Sequence, residues 1–219
     1  MYEIYALARG PFAWGAFIIF FGGILYRLIT TTLEARKKDQ VVFIYFSPYY
    51  ALRSLVHWIV PFGSRSMRLQ PVFTIIAFAF HICLIIVPIF LFAHIILFKE
   101  SFNISWWYLP DGMIQVMTLI VIFSCVYFII RRIVKPDVRY LSSRTDFLLL
   151  LLVVAPFVTG FWAARGWAGF EVATLLHMLS GELLLVLIPF TKLSHMFFFP
   201  LTRAYAGSEF GAVRHARDW

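Results

Sequence analysis

Charged residues are scarce in this chain. They make up 14% of its 219 residues, whereas a typical soluble domain has about 25%. Only 11 residues are acidic, and no stretch between the apolar runs is long enough to bury a core of its own. This scarcity excludes a mainly soluble protein, and we expect one integral membrane domain over residues 1–219.

Cysteine is rarer still, with two residues in the whole chain. Cys83 and Cys125 both lie inside apolar runs, and the sequence contains no CxxC or CxxCH motif. We therefore expect neither a covalently attached c-type haem nor a cysteine-ligated cluster, and we interpret both residues as buried thiols that fill space. Internal repeats are also absent, which argues against a transporter built from repeated halves.

Apolar sequence, in contrast, is abundant. Hydrophobic residues form 62% of the chain, and its mean hydropathy is +0.85. A membrane-crossing helix needs about 20 apolar residues, and five runs are long enough to cross. The sequence therefore predicts an all-α membrane protein with five transmembrane helices, near residues 11–29, 72–98, 112–133, 147–162 and 170–199.

The basic residues predict the orientation of these helices. Of the 19 lysines and arginines, 16 fall on alternate connections, among them the cluster Arg36, Lys37 and Lys38 after the first run. Because basic residues concentrate on the cytoplasmic side of a membrane, we expect the N-terminus outside and the C-terminus in the cytoplasm. The net charge of +8 then reflects topology and contact with membrane lipid, and we expect no nucleic-acid partner.

The long connection after the first run has an apolar pattern of its own. Five large residues at helical spacing predict a short helix lying in the membrane interface over residues 47–62. These residues are Tyr49, Leu52, Leu55, Val56 and Ile59. His57 falls inside the same segment, and we interpret it as a partly solvated interfacial histidine rather than a ligand.

Two histidines, His177 and His195, mark the last apolar run. Their separation of about 18 residues corresponds to about five whole turns of a helix, so both imidazoles are expected to face one direction. On one continuous helix they would lie about 27 Å apart, close to the thickness of a bilayer's hydrocarbon core. The second run carries its own pair, His81 and His94.

Four histidines at matched depths on two membrane helices predict two haem sites. The second and fifth runs cross in opposite directions, so the expected pairs are His94 with His177 near the outer face and His81 with His195 near the inner face. An imidazole on each side of an iron fills both axial positions and suits electron transfer. The alternative is four hydrogen-bonded packing histidines, although ionisable residues inside membranes are rare and usually functional.

The two pairs are not matched perfectly on ideal helices. His81 and His94 are separated by about 13 residues and about 20 Å of rise, and their rings would point about 140° apart around the axis. Pro88 lies between these two histidines and Pro189 lies between the other two. We expect helix tilt or a proline kink to absorb the difference.

Residues near the histidines are candidates for supporting the cofactor. Gly181 and Ala93 offer low-profile positions for a flat macrocycle, although small residues also serve ordinary helix packing. Lys192, Arg131 and Arg132 are candidate partners of haem propionates, with interfacial anchoring as an equally good interpretation.

Three residues are candidates for handling a quinone or its protons. Glu182 is the one acidic residue that lies well inside an apolar run, five residues after His177, and a hydrogen-bonded structural acid is the alternative. Lys99 and Asp111 flank the connection between the second and third runs, next to aromatic residues that form an interface belt.

Several motifs contain these residues. They are Phe80-His81-Ile82 through Ala93-His94, then Trp107-Tyr108-Leu109-Pro110, then Arg131-Arg132 followed by Pro136-Asp137-Val138-Arg139, and finally His177-x-x-x-Gly181 through Pro189-Phe190-Thr191-Lys192-Leu193-Ser194-His195 and Pro200. In these motifs the chain resembles the γ subunit of respiratory nitrate reductase, a five-span di-haem cytochrome b. It is also similar to membrane cytochromes of heterodisulfide-reductase-type and high-molecular-weight cytochrome c complexes. The resemblance covers nearly the whole chain, and the last motif is the most specific.

The resemblance implies a subunit with two haem b groups in the prokaryotic cytoplasmic (inner) membrane. It implies that His94 and His177 hold the outer haem and that His81 and His195 hold the inner one. Quinol, with menaquinol as a candidate, would be oxidised at the outer haem, and electrons would pass to a cytoplasmic iron–sulfur subunit. Other membrane or periplasmic cytochrome subunits are further candidate partners. No complete reaction is expected from this chain alone.

Two departures separate the chain from the nitrate reductase subunit. That subunit spaces its second-run histidines three residues closer together, and it has a quinol-site lysine where this chain has Ile114. Both departures favour a subunit of a related redox complex. A haem-free membrane anchor or assembly subunit of a respiratory complex is the alternative function.

Overall fold

The computed structural model of the chain describes residues 2–219, with the backbone alone at positions 41 and 42. The described residues form helices and no strand. The α-helices are α1 (Tyr2–Leu7), α2 (Ala13–Lys38), α3 (Gln40–Ile44), α4 (Pro48–Ile59), α5 (Arg65–Leu69), α6 (Pro71–Phe90), α7 (Phe92–Phe102), α8 (Asp111–Val134), α9 (Pro136–Leu141), α10 (Arg144–Ala164), α11 (Phe170–Leu187) and α12 (His195–Ser208). Single π-helical turns cover Ala8–Phe12 and Glu209–Val213, and a 3₁₀ turn covers Lys192–Ser194.

Five helical segments are long and apolar enough to cross a membrane, which confirms the expected number of spans. They are Tyr2–Lys38, Pro71–Phe90, Asp111–Val134, Arg144–Ala164 and Phe170–Leu187. The first is much longer than predicted, because α1, a π-helical turn and α2 follow one another without a break. The all-α fold class is therefore confirmed.

The predicted second and fifth runs are wrong as continuous helices. The second run is divided at Leu91, whose ψ of 125° is extended and separates α6 from α7. The fifth run ends at Leu187, and His195 is the first residue of α12. The alignment and the axial separation expected for His177 and His195 on one straight helix therefore do not apply. The angular offset expected for His81 and His94 fails for the same reason.

The described chain divides into two compact units. One unit is the described chain up to Ile75 together with Glu182–Trp219, and the other is Ile76–Gly181. In the first unit, Phe20 and Ile24 of α2 pack with Ile188 to form a buried apolar cluster. This cluster fastens the residues that follow α11 to the first membrane helix.

The strongest packing in the first unit joins α4 to α12. A Cβ at Gly207 would lie 2.3 Å from the Ser54 Cβ, so the two helices touch only because this position has no side chain. Ser54 and Ala51 form the buried face of α4, whereas Leu52 is 63% exposed. A helix is present within residues 47–62, as Pro48–Ile59. Tyr49, Leu52, Val56 and Ile59 are exposed and Leu55 is half-buried, and the position of this helix in the membrane interface stays a prediction.

In the second unit, α8 packs along α10. The turn between α9 and α10 is held by Arg132 Nη1, which donates to Ser142 Oγ at 2.9 Å and lies 4.0 Å from the Asp146 carboxylate. Asp146 in turn accepts from the Ser143 backbone N–H at 2.8 Å and completes the N-terminal capping box of α10. This polar cluster fixes where α10 begins.

Candidate functional site

His94 and His177 come together in the second unit, although they lie far apart in the sequence. Their ring centres lie 5.8 Å apart, and their ring planes differ by 19°. His94 belongs to α7 and His177 to α11. The structure therefore brings together the pair that the sequence predicted for the outer face, while the role of the pair as ligands stays a prediction.

His94 is oriented by the break between α6 and α7. The last four carbonyls of a helix have no partner within it, and all four at the end of α6 are satisfied by residues of the following segment. The bonds are Leu91 N to Val87 O at 3.1 Å, His94 Nδ1 to Pro88 O at 2.8 Å, Trp106 Nε1 to Ile89 O at 2.9 Å and Leu109 N to Phe90 O at 3.1 Å. An apolar membrane interior requires this complete pairing, and the His94 ring is one of the four donors.

His177 is oriented by α10. Its Nδ1 donates to the Pro156 carbonyl at 2.8 Å. One turn along α10, a Cβ at Gly160 would lie 2.8 Å from the same ring nitrogen. The His177 ring therefore packs against the backbone of α10, next to the Pro156 carbonyl and Gly160.

These hydrogen bonds decide which nitrogen of each ring can bind a metal. A carbonyl oxygen only accepts, so Nδ1 of each ring carries the proton and the neutral ring keeps its lone pair on Nε2. Donation from the second ring nitrogen to a carbonyl is the usual support of a metal-binding histidine, because it sets both tautomer and orientation.

The spacing of the two rings also suits a shared metal. With a metal–nitrogen bond of about 2.0 Å and about 1.1 Å from that nitrogen to the ring centre, two imidazoles on opposite sides of one metal have ring centres about 6.2 Å apart. The observed 5.8 Å is close to that value. The distance between the ring centres is therefore compatible with two imidazole ligands on opposite sides of one metal, and a metal between them stays a prediction.

His81 and His195 show the same local support. His81 Nδ1 donates to the Ala77 carbonyl at 2.7 Å, and His195 Nδ1 donates to the Lys192 carbonyl at 2.9 Å. Each ring thus bonds to backbone three or four residues earlier. The two histidines belong to different compact units, and their pairing stays a prediction.

Arg131, Arg132 and Lys192 were predicted either to pair with haem propionates or to act as interfacial anchors. The structure gives one of them, Arg132, a different role. The Arg132 guanidinium is engaged by Ser142 and Asp146 in a structural cluster. Arg131 is half-buried near the end of α8, whereas Lys192 is exposed in the 3₁₀ turn before His195. Both remain candidates for a propionate.

The predicted quinone and proton residues are spread over several elements. Lys99 is exposed near the end of α7, and Asp111 is exposed as the first residue of α8. Glu182 is half-buried within α11 and begins the C-terminal part of the first unit. Gly181 has open space where a Cβ would stand, so it presents the low profile that was predicted.

Sequence reasoning missed the residues that orient the two imidazoles. Pro156 and Gly160 lie four residues apart in α10, a spacing that puts them on one helix face, and this pattern was available as a signal in the fourth run. The aromatic residues between the second and third runs, which include Trp106, were interpreted only as an interface belt. The Trp106 indole N–H is in fact one of the donors that satisfy the end of α6.

Larger metal sites are not formed by the described residues. Within residues 2–219, no three or more histidine, cysteine, aspartate or glutamate side chains cluster in a way that could hold a metal ion. Cys83 and Cys125 are free and buried, as expected. The metal-binding potential in this part of the chain therefore rests on histidine pairs.

No family model matches this chain, and no solved structure matches it. It is similar to a protein of Nitratidesulfovibrio vulgaris strain Hildenborough, with 37% identity over 219 residues that cover 96% of this chain and 95% of the relative. The name of the relative assigns it no activity. With that identity over nearly the full length of both proteins, the chain belongs to the same family as the Nitratidesulfovibrio vulgaris protein.

Proposed function

We propose that this chain is a membrane cytochrome b subunit that relays electrons across the bilayer between a quinone pool and partner redox proteins. The observation that carries the proposal is the His94–His177 pair, with ring centres 5.8 Å apart and both Nδ1 atoms bonded to backbone carbonyls. Haem b held by two axial imidazoles supplies one-electron transfer without an open site for substrate.

The chain's own residues hold the outer ligands in place. Pro88 and Pro156 offer carbonyls that lock the tautomer of each imidazole, and Gly160 leaves room for the His177 ring. A fixed ring costs little reorganisation when the metal changes charge, because the protein dipoles around it are already oriented. Electron transfer benefits from such a rigid ligand set.

The remaining parts of the proposal rest on sequence patterns alone. His81 and His195 would hold a second, inner haem, with the N-terminus outside and the C-terminus in the cytoplasm of a prokaryote. Glu182, Lys99 and Asp111 are the proposed quinone-side residues, and a cytoplasmic iron–sulfur subunit is the proposed acceptor. The resemblance to membrane cytochromes of heterodisulfide-reductase-type and high-molecular-weight cytochrome c complexes supports this set.

Visible spectra of single histidine variants test the proposal. The purified chain, or the complex that contains it, should show two non-covalent b-type haems by pyridine haemochrome assay. His94→Ala and His177→Ala should each remove the same outer haem, while His81→Ala and His195→Ala should each remove the inner one. His57→Ala is the matched control and should keep the full spectrum, because His57 lies in α4 and bonds to the Arg53 carbonyl.

Three outcomes would contradict the proposal in different ways. Absence of haem in the wild-type protein would favour a haem-free anchor or assembly subunit. One haem per chain would mean that one of the two histidine pairs is structural. Loss of different haems from the His94 and His177 variants would show that the two rings do not share an iron.

A further inference from the structure

A cavity opens where α4 meets the C-terminal tail in the first unit. Its volume is about 450 Å³, within the range of small-molecule sites. It is lined by Val56, His57, Val60, Gly63, Arg68, Arg217 and Trp219. Two arginines thus line one cavity together with two valines, and no aspartate or glutamate is among the lining residues.

The C-terminal tail places its positive charge in the cavity and its negative charge elsewhere. Arg217 and Trp219 line the cavity. Asp218 between them is turned to the protein, where it accepts from Ser54 Oγ at 2.6 Å and lies 3.8 Å from Arg203 Nη1. The acidic residue is therefore used inside the fold and does not neutralise the cavity.

The cavity wall is fixed by contacts of its own. His57 Nδ1 donates to the Arg53 carbonyl at 2.8 Å, and its ring stacks on Trp219 with centres 4.1 Å apart. Arg68 Nη1 donates to the carbonyls of Phe62 and Gly63 at 2.9 and 3.1 Å. These bonds use two of the five guanidinium donors and hold the group at the rim of the cavity.

The cavity is close in sequence to the start of a candidate membrane span, which would place it near the lipid headgroups of a bilayer. Arg68 is three residues before Pro71, where the apolar helix α6 begins, and three residues span at most about 10 Å. Val56 and Ile59 of α4 are 49% and 59% exposed. An occupant would thus have an acyl surface beside it and two guanidinium groups around its head.

We propose that this cavity binds the phosphate group of an anionic phospholipid, with Arg68 and Arg217 as the phosphate ligands. Guanidinium groups bind phosphate through paired, charge-assisted hydrogen bonds, and basic pockets next to membrane helices are suited to anionic headgroups. Val56 and Val60 contact the glycerol backbone and the first methylenes. The lipid then joins α4, the loop before α6 and the C-terminal tail.

Native mass spectrometry of the full chain in detergent, titrated with phosphatidylglycerol, tests the proposal. The wild-type protein should hold one saturable lipid, and phosphatidylcholine should not replace it. Arg68→Gln and Arg217→Gln should each weaken binding roughly tenfold, the effect of losing hydrogen bonds to a charged group. Arg217 lies in the C-terminal tail, outside every helix. The Arg217→Gln variant therefore keeps the test valid if Arg68→Gln loosens the loop that contains Arg68.

Arg65→Gln is the matched control, since it removes the same charge from α5 three residues from Arg68 and outside the cavity. Equal weakening in all three variants would overturn the proposal in favour of diffuse attraction between lipid and basic surface. Displacement of the lipid by an equal concentration of glycerol phosphate would identify a soluble phosphate as the occupant and overturn the lipid assignment. A third outcome is that an acidic peptide binds through the two arginines while lipid binding is unchanged in the variants. That result would overturn the lipid proposal and identify the cavity as a protein-docking site.

Discussion

The second and fifth apolar runs are each interrupted by a helix break near a proline, and the two breaks are stabilised in different ways. After Pro88, the carbonyls at the end of α6 are bonded by residues of the segment that follows directly, including His94 and Trp106. At Pro189, the carbonyl accepts from Arg27 Nη1 at 2.7 Å, 162 residues away in the sequence. The same guanidinium donates to Ser194 Oγ at 2.9 Å. At the first break, the free carbonyls accept hydrogen bonds from neutral donors nearby in the sequence. At the second break, the Pro189 carbonyl accepts from the charged Arg27 side chain, which is distant in the sequence.

This difference affects the histidine beside each break. His94 bonds to the Pro88 carbonyl itself, so its ring is part of the first break. His195 bonds instead to the Lys192 carbonyl in the turn that Arg27 supports through Ser194. We therefore expect substitutions at the first break to change the orientation of the His94 ring directly. Substitutions at the second break should first destabilise the unit that contains His195.

Arg27→Met should have the largest effect on stability. It removes two hydrogen bonds from a charged donor, each worth about 1.5–3 kcal/mol, and leaves the Pro189 carbonyl without its donor in a tightly packed region, where Pro189 is almost fully buried. We expect a destabilisation of about 3 kcal/mol, measured by denaturant unfolding of the full chain in detergent. Arg36→Met, near the C-terminal end of the same helix, should change stability by less than about 0.5 kcal/mol. An equal loss in both variants would show that the second break does not depend on Arg27.

Gly160→Ala should disturb the pair of imidazoles without removing either one. A Cβ at this position would lie 2.8 Å from His177 Nδ1, and overpacking of this kind costs about 1–3 kcal/mol. The ring must turn away from the Pro156 carbonyl, so we expect loss or a clear spectral shift of the outer haem in a visible spectrum.

Gly181→Ala is the matched control for that change, because a Cβ there meets nothing within 4 Å. The haem-free protein should tolerate this substitution, and its free energy of unfolding should stay unchanged. A change in the haem spectrum with unchanged unfolding would place the macrocycle against Gly181, as the sequence predicts. An unaltered outer haem in Gly160→Ala would contradict the close seating of His177 on α10.

Trp106→Phe should have a smaller effect confined to the first break. It removes the donor to the Ile89 carbonyl while keeping an aromatic ring, so the expected cost is about 1 kcal/mol. Trp107→Phe is the control, because Trp107 packs on the Phe90 ring with centres 4.3 Å apart and phenylalanine retains that stacking. Hydrogen exchange of α7 amides should rise in the first variant and stay unchanged in the second.

Tyr205 of α12 offers the mildest test, in the same unit as the second break. Its hydroxyl donates to the Asp39 carboxylate, and this bond, with burial and the negative charges of Asp39 and Glu209, raises the pKa of Tyr205 to about 12. A raised pKa means that the folded state holds this proton more tightly, so the bond stabilises the protein fully below the usual pKa of about 10. That stabilisation is lost as the pH rises toward 12.

Titration of tyrosine absorbance in the near ultraviolet measures this shift. The Tyr205→Phe variant should lose the component that ionises latest, and Asp39→Asn should bring it back toward an ordinary tyrosine. A latest component that survives in Tyr205→Phe would belong to another tyrosine and contradict the assignment.

Much of the fold could be predicted from local sequence. Five apolar runs became five long helices because a helix satisfies its own backbone hydrogen bonds, so length and composition suffice in a membrane. The helix α4 was predicted from the spacing of Leu52, Val56 and Ile59 for the same local reason. The choice of His94 and His177 as a pair also came from the sequence, although it rested on helices drawn as straight and continuous.

What only the tertiary structure decided is where those helices stop and which way their histidines point. Pro88 and Pro189 marked both regions, but a proline only removes one donor. The position of each break depends on which freed carbonyls find partners, and these come from Trp106 in one case and from Arg27 of a different helix in the other. Sequence spacing cannot supply such partners, because a hydrogen bond between distant residues exists only after the helices have packed.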